Sequence, residues 1–148
     1  MRVLVTGANG FVGCVLCTAL TQHGYAVRGA VRSTTTAASA KTPCVAVGGM
    51  TEQTDWSVAL TDVDVVIHLA ARAHVMKEIS NDPLAAFREV NLHGTENLAR
   101  QAARAGVGRF VFVSSIKVNG EETRNDQVYS EADIPAPQDA YATSKWEA

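Results

Sequence analysis

The sequence predicts an α/β fold, a doubly wound parallel sheet, and three observations carry that expectation. Short apolar runs alternate with helical patterns along the whole chain. The lengths between runs suit βαβ units rather than hairpins. Glycines fall where a strand turns into a helix or a helix ends. Strands alternating with helices over such lengths give a parallel sheet, and right-handed crossovers place ligands at the carboxyl ends of its strands.

Each element follows in order. Arg2 to Thr6 reads as a first strand. Phe11 to His23 reads as a helix with Val12, Val15, Leu16, Ala19 and Leu20 on one face, ended by Gly24. Ala26 to Val31 makes a second strand and Cys44 to Val47 a short third. Between them Ser33 to Thr42, rich in Ser, Thr and Ala, reads as a loop or a poor helix. Asp55 to Leu60 is a short helix. Asp64 to Leu69 is a fourth strand whose unbroken apolar run predicts burial on both faces. Pro83 to Ala105 reads as one long helix, with Pro83 in its first turn and Gly106 past its end. Arg109 to Ser114 is a fifth strand, Glu121 to Pro137 a loop, and a last helix begins near Gln138.

The 148 residues fit one domain that buries about two-thirds of its unfolded surface. A net charge of −2 supplies no electrostatic footprint for nucleic acid or an anionic membrane. No apolar stretch approaches the roughly 20 residues of a membrane span, and a strand at the very start leaves no room for a signal peptide, so the expected compartment is the cytoplasm. Three cysteines make no disulfide framework. Cys14 and Cys17 lie one helical turn apart without a second ligand pair, so they and Cys44 are read as small hydrophobes in packing. His23, His68, His74 and His93 are not at metal-ligand spacing, and no metal is expected. His68 reads as a core histidine, while His74 and Lys77 either approach a substrate or sit solvated.

Two patterns carry chemistry. Gly7, Gly10 and Gly13 stand where the first strand becomes the first helix. A helix start leaves N–H groups unpaired at the positive end of its dipole, and glycine lets a pyrophosphate approach without Cβ in the way. The same glycines would also serve a plain tight βα turn. Tyr141 and Lys145, four apart, share one helix face. An ammonium beside a phenol favours phenolate and makes a usable acid/base. Ser114 and Ser115 end the fifth strand, where a hydroxyl could meet a substrate oxygen. An ordinary surface pair and a serine-capped strand would read alike.

The constellation is more specific than its parts: Thr6-Gly7-x-x-Gly10-x-x-Gly13, His68-Leu-Ala-Ala71, Asn91-Leu-His-Gly-Thr95, Ser114-Ser115 and Tyr141-x-x-x-Lys145, in that order. It resembles the extended short-chain dehydrogenase/reductase superfamily, in its nucleotide-sugar epimerase/dehydratase branch. The resemblance implies an NAD(P)-binding Rossmann fold over residues 1–148. It implies that Gly7, Asn9, Gly10, Phe11, Val12 and Gly13 form the cofactor turn, with Leu69, Ala70 and Ala71 flanking the cofactor. It makes Ser115 the catalytic hydroxyl, Tyr141 the acid/base, and Lys145 the residue that assists the tyrosine and holds the ribose. Asn91 would support the site. Pairing as a homodimer through the long and final helices would follow relatives.

Departures from the pattern inform the subtype. NAD-preferring members end the second strand with an acidic residue, where this chain has Val31, Arg32 and Ser33. Arginine suits a 2′-phosphate, so NADP(H) is expected over NAD(H), with Arg32 and Ser33 as cofactor residues. Family dehydratases carry an Asp-Glu pair after the catalytic hydroxyl, and Ile116-Lys117 stands there instead, which disfavours elimination of water. Gly48-Gly49-Met50 offers no aspartate near the adenine. Ser114 to Glu121 looks like members acting on UDP-N-acetyl sugars in polysaccharide synthesis, by 4-epimerisation or 4-keto reduction. The expected partner is therefore a nucleotide-sugar. The chain stops inside a helix, so a domain incomplete at its C-terminus, without its substrate domain, is expected. The alternative is a truncated dinucleotide-binding module without turnover.

Overall fold

The computed structural model describes residues 1–33, 42–73, 80–123 and 126–148. The Thr34 to Ala40 stretch, His74 and Lys77 lie outside these residues. Five strands, β1 (Arg2–Thr6), β2 (Ala26–Val31), β3 (Cys44–Ala46), β4 (Val65–His68) and β5 (Arg109–Phe112), form one parallel sheet in the order β3-β2-β1-β4-β5. Val5 pairs with Gly29 on one side and Ile67 on the other, and His68 pairs with Phe112. The order reverses between β1 and β4, the place where open α/β sheets bind ligands.

Alternation along β1 divides the core in two. Leu4 packs with Trp56, Ala59, Leu60, Val66, Leu98 and Ala102. Val3 and Val5 pack with Ala8, Cys17 and Val31 on the opposite face. Helix α1 (Phe11–Gln22) covers that second face; α2 (Ser57–Leu60) and α4 (Gly94–Arg104) cover the first. Helices on both faces make the sheet doubly wound, as expected.

Several boundaries and faces differ from expectation. In α1 the buried residues are Gly13 and Cys17, flanked by Leu16 and Leu20, whereas Val12 and Val15 are 59% and 67% exposed. The close approach at Gly13 sets the helix so that Gly13, Leu16, Cys17 and Leu20 face the sheet and the valines do not. Cys14 consequently points to solvent and is no packing residue, while Cys17 is buried and Cys44 half-buried. Strand β4 alternates rather than being buried throughout. Val66 and His68 lie under the α4 side, and Val65 and Ile67 are half-buried on the α1 side.

The predicted long helix is α3 (Pro83–Arg88) and α4 joined by a π-helical turn at Glu89–His93. Asp82 caps α3 through Ala85 N–H at 3.0 Å. Gly24 (φ +80°) and Gly106 (φ +78°) follow the ends of α1 and α4, where Tyr25 and Val107 N–H reach back to Leu20 and Ala102 carbonyls. A 3₁₀ turn at Ile116–Val118 follows β5, and α5 (Ala140–Glu147) closes the described chain with Asp139 as its cap. Among the described residues no helix is long and apolar enough to cross a membrane.

Candidate active site

The glycine turn sits at the carboxyl end of β1, against the end of β4. Gly7 adopts φ +65°, and a Cβ there would stand 3.0 Å from Ala70 N. Only glycine combines that backbone with that approach. A Cβ on Gly13 would come within 2.1 Å of Gly7 O, so Gly13 is what lets α1 start directly on the turn. Cys14 N–H is the first to bond back, to Gly10 O at 3.0 Å, and no side chain caps the helix. The N–H groups of Phe11, Val12 and Gly13 thus precede the ladder. Asn9 and Gly10 are exposed, as are Phe11 (94%) and Val12. An uncapped, glycine-lined helix start facing solvent has the shape and polarity a pyrophosphate needs.

Around this turn, Val31 is buried at the end of β2, Arg32 is exposed beyond it, and Ser33 is half-buried. Leu69, Ala70 and Ala71 leave β4 half-buried, facing the turn. Thr6 Oγ1 accepts the N–H groups of Leu69 (3.1 Å) and Ala70 (3.0 Å), which draws the β4 end onto β1. Met50 packs into the core beneath α4.

Helix α5 brings the second pattern to the same end of the sheet. Lys145 is 3% exposed, and its Nζ lies 3.9 Å from the ring centroid of Phe112, the last residue of β5. Burial pushes its pKa down to about 8. Tyr141, one turn earlier, is half-buried and meets Phe87 edge-on at 6.2 Å. Ser115 follows β5 and accepts Lys117 N–H at 3.3 Å, which leaves its own proton to donate. The Lys117 ammonium bonds Asp139 and Glu121, and so ties the Ser115 turn to the cap of α5. Burial pushes the Asp139 carboxyl up, but the Ala142 N–H and the Lys117 ammonium outweigh it and hold it below the usual carboxylate range. At the far end of α5, Glu147 takes a bidentate pair from Arg88, at 2.7 and 2.5 Å.

Asn91 lies on the π turn and is 1% exposed. Its amide accepts Arg72 N–H (2.8 Å) and donates to Arg72 O (3.0 Å) and Ser144 Oγ (2.9 Å), which clamps the β4 exit to α5. Sequence reasoning gave Asn91 a supporting role, but named Thr95 and Lys117 only as motif positions and assigned no role to Ser144. Polar residues on inward helix faces were the available signal for Thr95 and Ser144. Burial pushes the His68 pKa down to about 3, helped by the nearby Lys145 charge, so the ring is neutral. Among the described residues no group of three or more His, Cys, Asp or Glu could hold a metal ion.

Comparison with known proteins places this architecture. Residues 3–148 match the model of the NAD dependent epimerase/dehydratase family. Over 147 residues the chain is 45% identical to UDP-glucose 4-epimerase of Vibrio cholerae, covering 99% of this chain and 44% of that protein. A short-chain dehydrogenase/reductase superfamily protein from Agrobacterium tumefaciens, solved with bound NAD, superposes with a TM-score of 0.79 at 32% identity. That match covers 99% of this chain and 42% of the other. UDP-glucuronic acid 4-epimerase from Bacillus cereus, solved with NAD, gives 0.80 at 27% identity, over 99% and 49%. The chain thus spans less than half the length of these relatives. Its fold and the family match together lead to one conclusion: the chain belongs to the NAD dependent epimerase/dehydratase family.

Proposed function

We propose that this chain is the dinucleotide-binding and hydride-transfer half of an oxidoreductase or epimerase acting at C4 of a nucleotide-sugar, a UDP-N-acetylhexosamine derivative. The observation that carries this reading is the convergence of the glycine turn and the Tyr141–Lys145 face at one end of a sheet whose order reverses between β1 and β4. Gly7, Asn9, Gly10, Phe11, Val12 and Gly13 hold the pyrophosphate on α1, with Leu69, Ala70 and Ala71 along its side. Lys145, one helical turn after Tyr141 on the same face of α5, would reach the ribose.

The bound nicotinamide supplies a hydride acceptor and donor. Tyr141 would take the proton from the C4 hydroxyl, or return it, as acid/base. Ser115 would donate a hydrogen bond to the same oxygen. With hydride exchange supplied by that cofactor, the same Tyr141 and Ser115 roles would serve either 4-epimerisation or 4-keto reduction. Ile116-Lys117 supplies no carboxylate pair for elimination.

Arg32, exposed beyond the buried Val31, would be free to meet a 2′-phosphate, which favours NADP(H) over NAD(H). In that preference this chain would part from the two relatives solved with NAD. Stopped-flow hydride transfer from NADPH and NADH to a UDP-4-keto-N-acetylhexosamine tests both points. The reading expects transfer with both, faster with NADPH, and loss in Tyr141→Phe by at least about a hundredfold. A Tyr141→Phe protein as fast as the parent would remove Tyr141 from the chemistry. Binding without turnover would leave a dinucleotide-binding module.

A further inference from the structure

A chain of buried polar groups links the glycine turn to α5, and each of its hydrogen bonds can run in one direction only. Thr6 Oγ1 accepts two backbone N–H groups, from Leu69 and Ala70, which fills both its lone pairs. Its single proton therefore goes to His68 Nδ1, 2.7 Å away, and that nitrogen carries none. At the other side of the ring, Thr95 donates its proton to Asn91 O at 2.6 Å. Toward His68 Nε2, 3.0 Å away, Thr95 can only accept. Both ends independently demand the same neutral ring, with its proton on Nε2. The chain continues through Asn91 Nδ2 to Ser144 Oγ, which donates to Tyr141 O at 2.7 Å. Thr6, His68, Thr95, Asn91 and Ser144 are all 5% exposed or less.

The direction matters because of what Thr6 does. Its two accepted bonds set where Leu69 and Ala70 stand relative to Gly7, the closest approach across the crevice. A Thr6 hydroxyl is free to rotate unless an acceptor fixes its proton, and His68 Nδ1 is that acceptor. A hydrocarbon of similar size would fill the space but leave the hydroxyl unanchored. A doubly protonated ring would present an N–H to an oxygen with no lone pair left.

We propose that His68, held as the Nε2–H tautomer between Thr6 and Thr95, is a positioning residue that fixes the crevice between Gly7 and Ala70 for the dinucleotide. This rests on the reading of that crevice given above. Long-range ¹H–¹⁵N correlation spectra of the labelled protein, together with calorimetric NADPH titrations of variants, test it. The expected ring is Nε2–H, with an unprotonated Nδ1. Thr95→Val, which deprives Nε2–H of its acceptor, is expected to weaken NADPH binding about tenfold, and Thr95→Ser to restore it. His68→Asn, whose amide oxygen still meets Thr6, is expected to bind about threefold more weakly than the parent, and His68→Leu about tenfold more weakly. Each titration is run below that variant's melting transition, so a purely structural role would lower the transition without moving affinity. An Nδ1–H or doubly protonated ring overturns the proposal, as does parental affinity in Thr95→Val or equal affinity in the two His68 variants. An Nε2–H ring in a parent that binds neither NADPH nor NADH overturns the dinucleotide reading, and the positioning role with it, while leaving the tautomer established.

Discussion

Lys145 holds an ammonium at 3% exposure over the Phe112 ring, and burial takes its pKa from 10.5 to about 8. At about 1.4 kcal/mol per pH unit, that difference is a cost of about 3 kcal/mol for keeping the charge at neutral pH. A cation–π contact returns about 0.5–2 kcal/mol, so the residue is a net burden on folding. Because the folded pKa is lowered, the unfolded chain binds the extra proton between about pH 8 and 10.5, and stability rises with pH across that window. Lys145→Met is therefore expected to raise the melting temperature at pH 7 while abolishing hydride transfer; a lower melting temperature would contradict the cost assigned to the charge. His68 works in the same sense at lower pH. Its folded pKa lies near 3 against 6.5, so the stability it contributes is complete above about pH 6.5 and is lost as pH falls toward 3. Urea unfolding of the parent and His68→Gln should show a stability difference that shrinks by about 1.4 kcal/mol per pH unit below 6.5. A difference independent of pH would mean that the ring titrates normally.

At the scale of elements, glycines and caps decide how strands hand over to helices. Gly13→Ala would place a methyl group 2.1 Å from a backbone carbonyl. It should cost about 2 kcal/mol or more and abolish dinucleotide binding, measured by thermal melting and titration; parental binding would show that the turn can yield. Arg28 spans from β2 to the end of α2, where its Nη1 donates to the Ala59 and Thr61 carbonyls at 2.8 Å each. Arg28→Ala should loosen α2 alone, seen as faster amide exchange there than in β1 or β4. The elements were legible where composition marks them: apolar runs gave all five strands, and Gly24, Pro83 and Gly106 marked helix limits. What stayed hidden was helix rotation and the π turn. The valines of α1 fit a helical stripe in the sequence, but the close approach at Gly13 turns Cys17 inward instead. A π turn adds a residue to one helical turn without changing composition, so Glu89–His93 read as ordinary helix.

Across the whole molecule, the order β3-β2-β1-β4-β5 puts Gly7, Ala70 and Phe112 at neighbouring strand ends. The glycine turn, Tyr141 and Lys145 were legible because each is a residue type at a spacing that serves known chemistry. The bonds joining them were not, because Thr6, Thr95, Ser144 and Asp139 act through partners 22 to 62 residues away in sequence. Those long-range bonds tie together the two motifs of the proposed site. The claim that this site takes a nicotinamide dinucleotide is tested most directly by calorimetric titration of the chain with NADPH and NADH. Saturable binding at one site is expected, tighter for NADPH and lost in Gly13→Ala; no heat of binding from either nucleotide would show that the site takes neither.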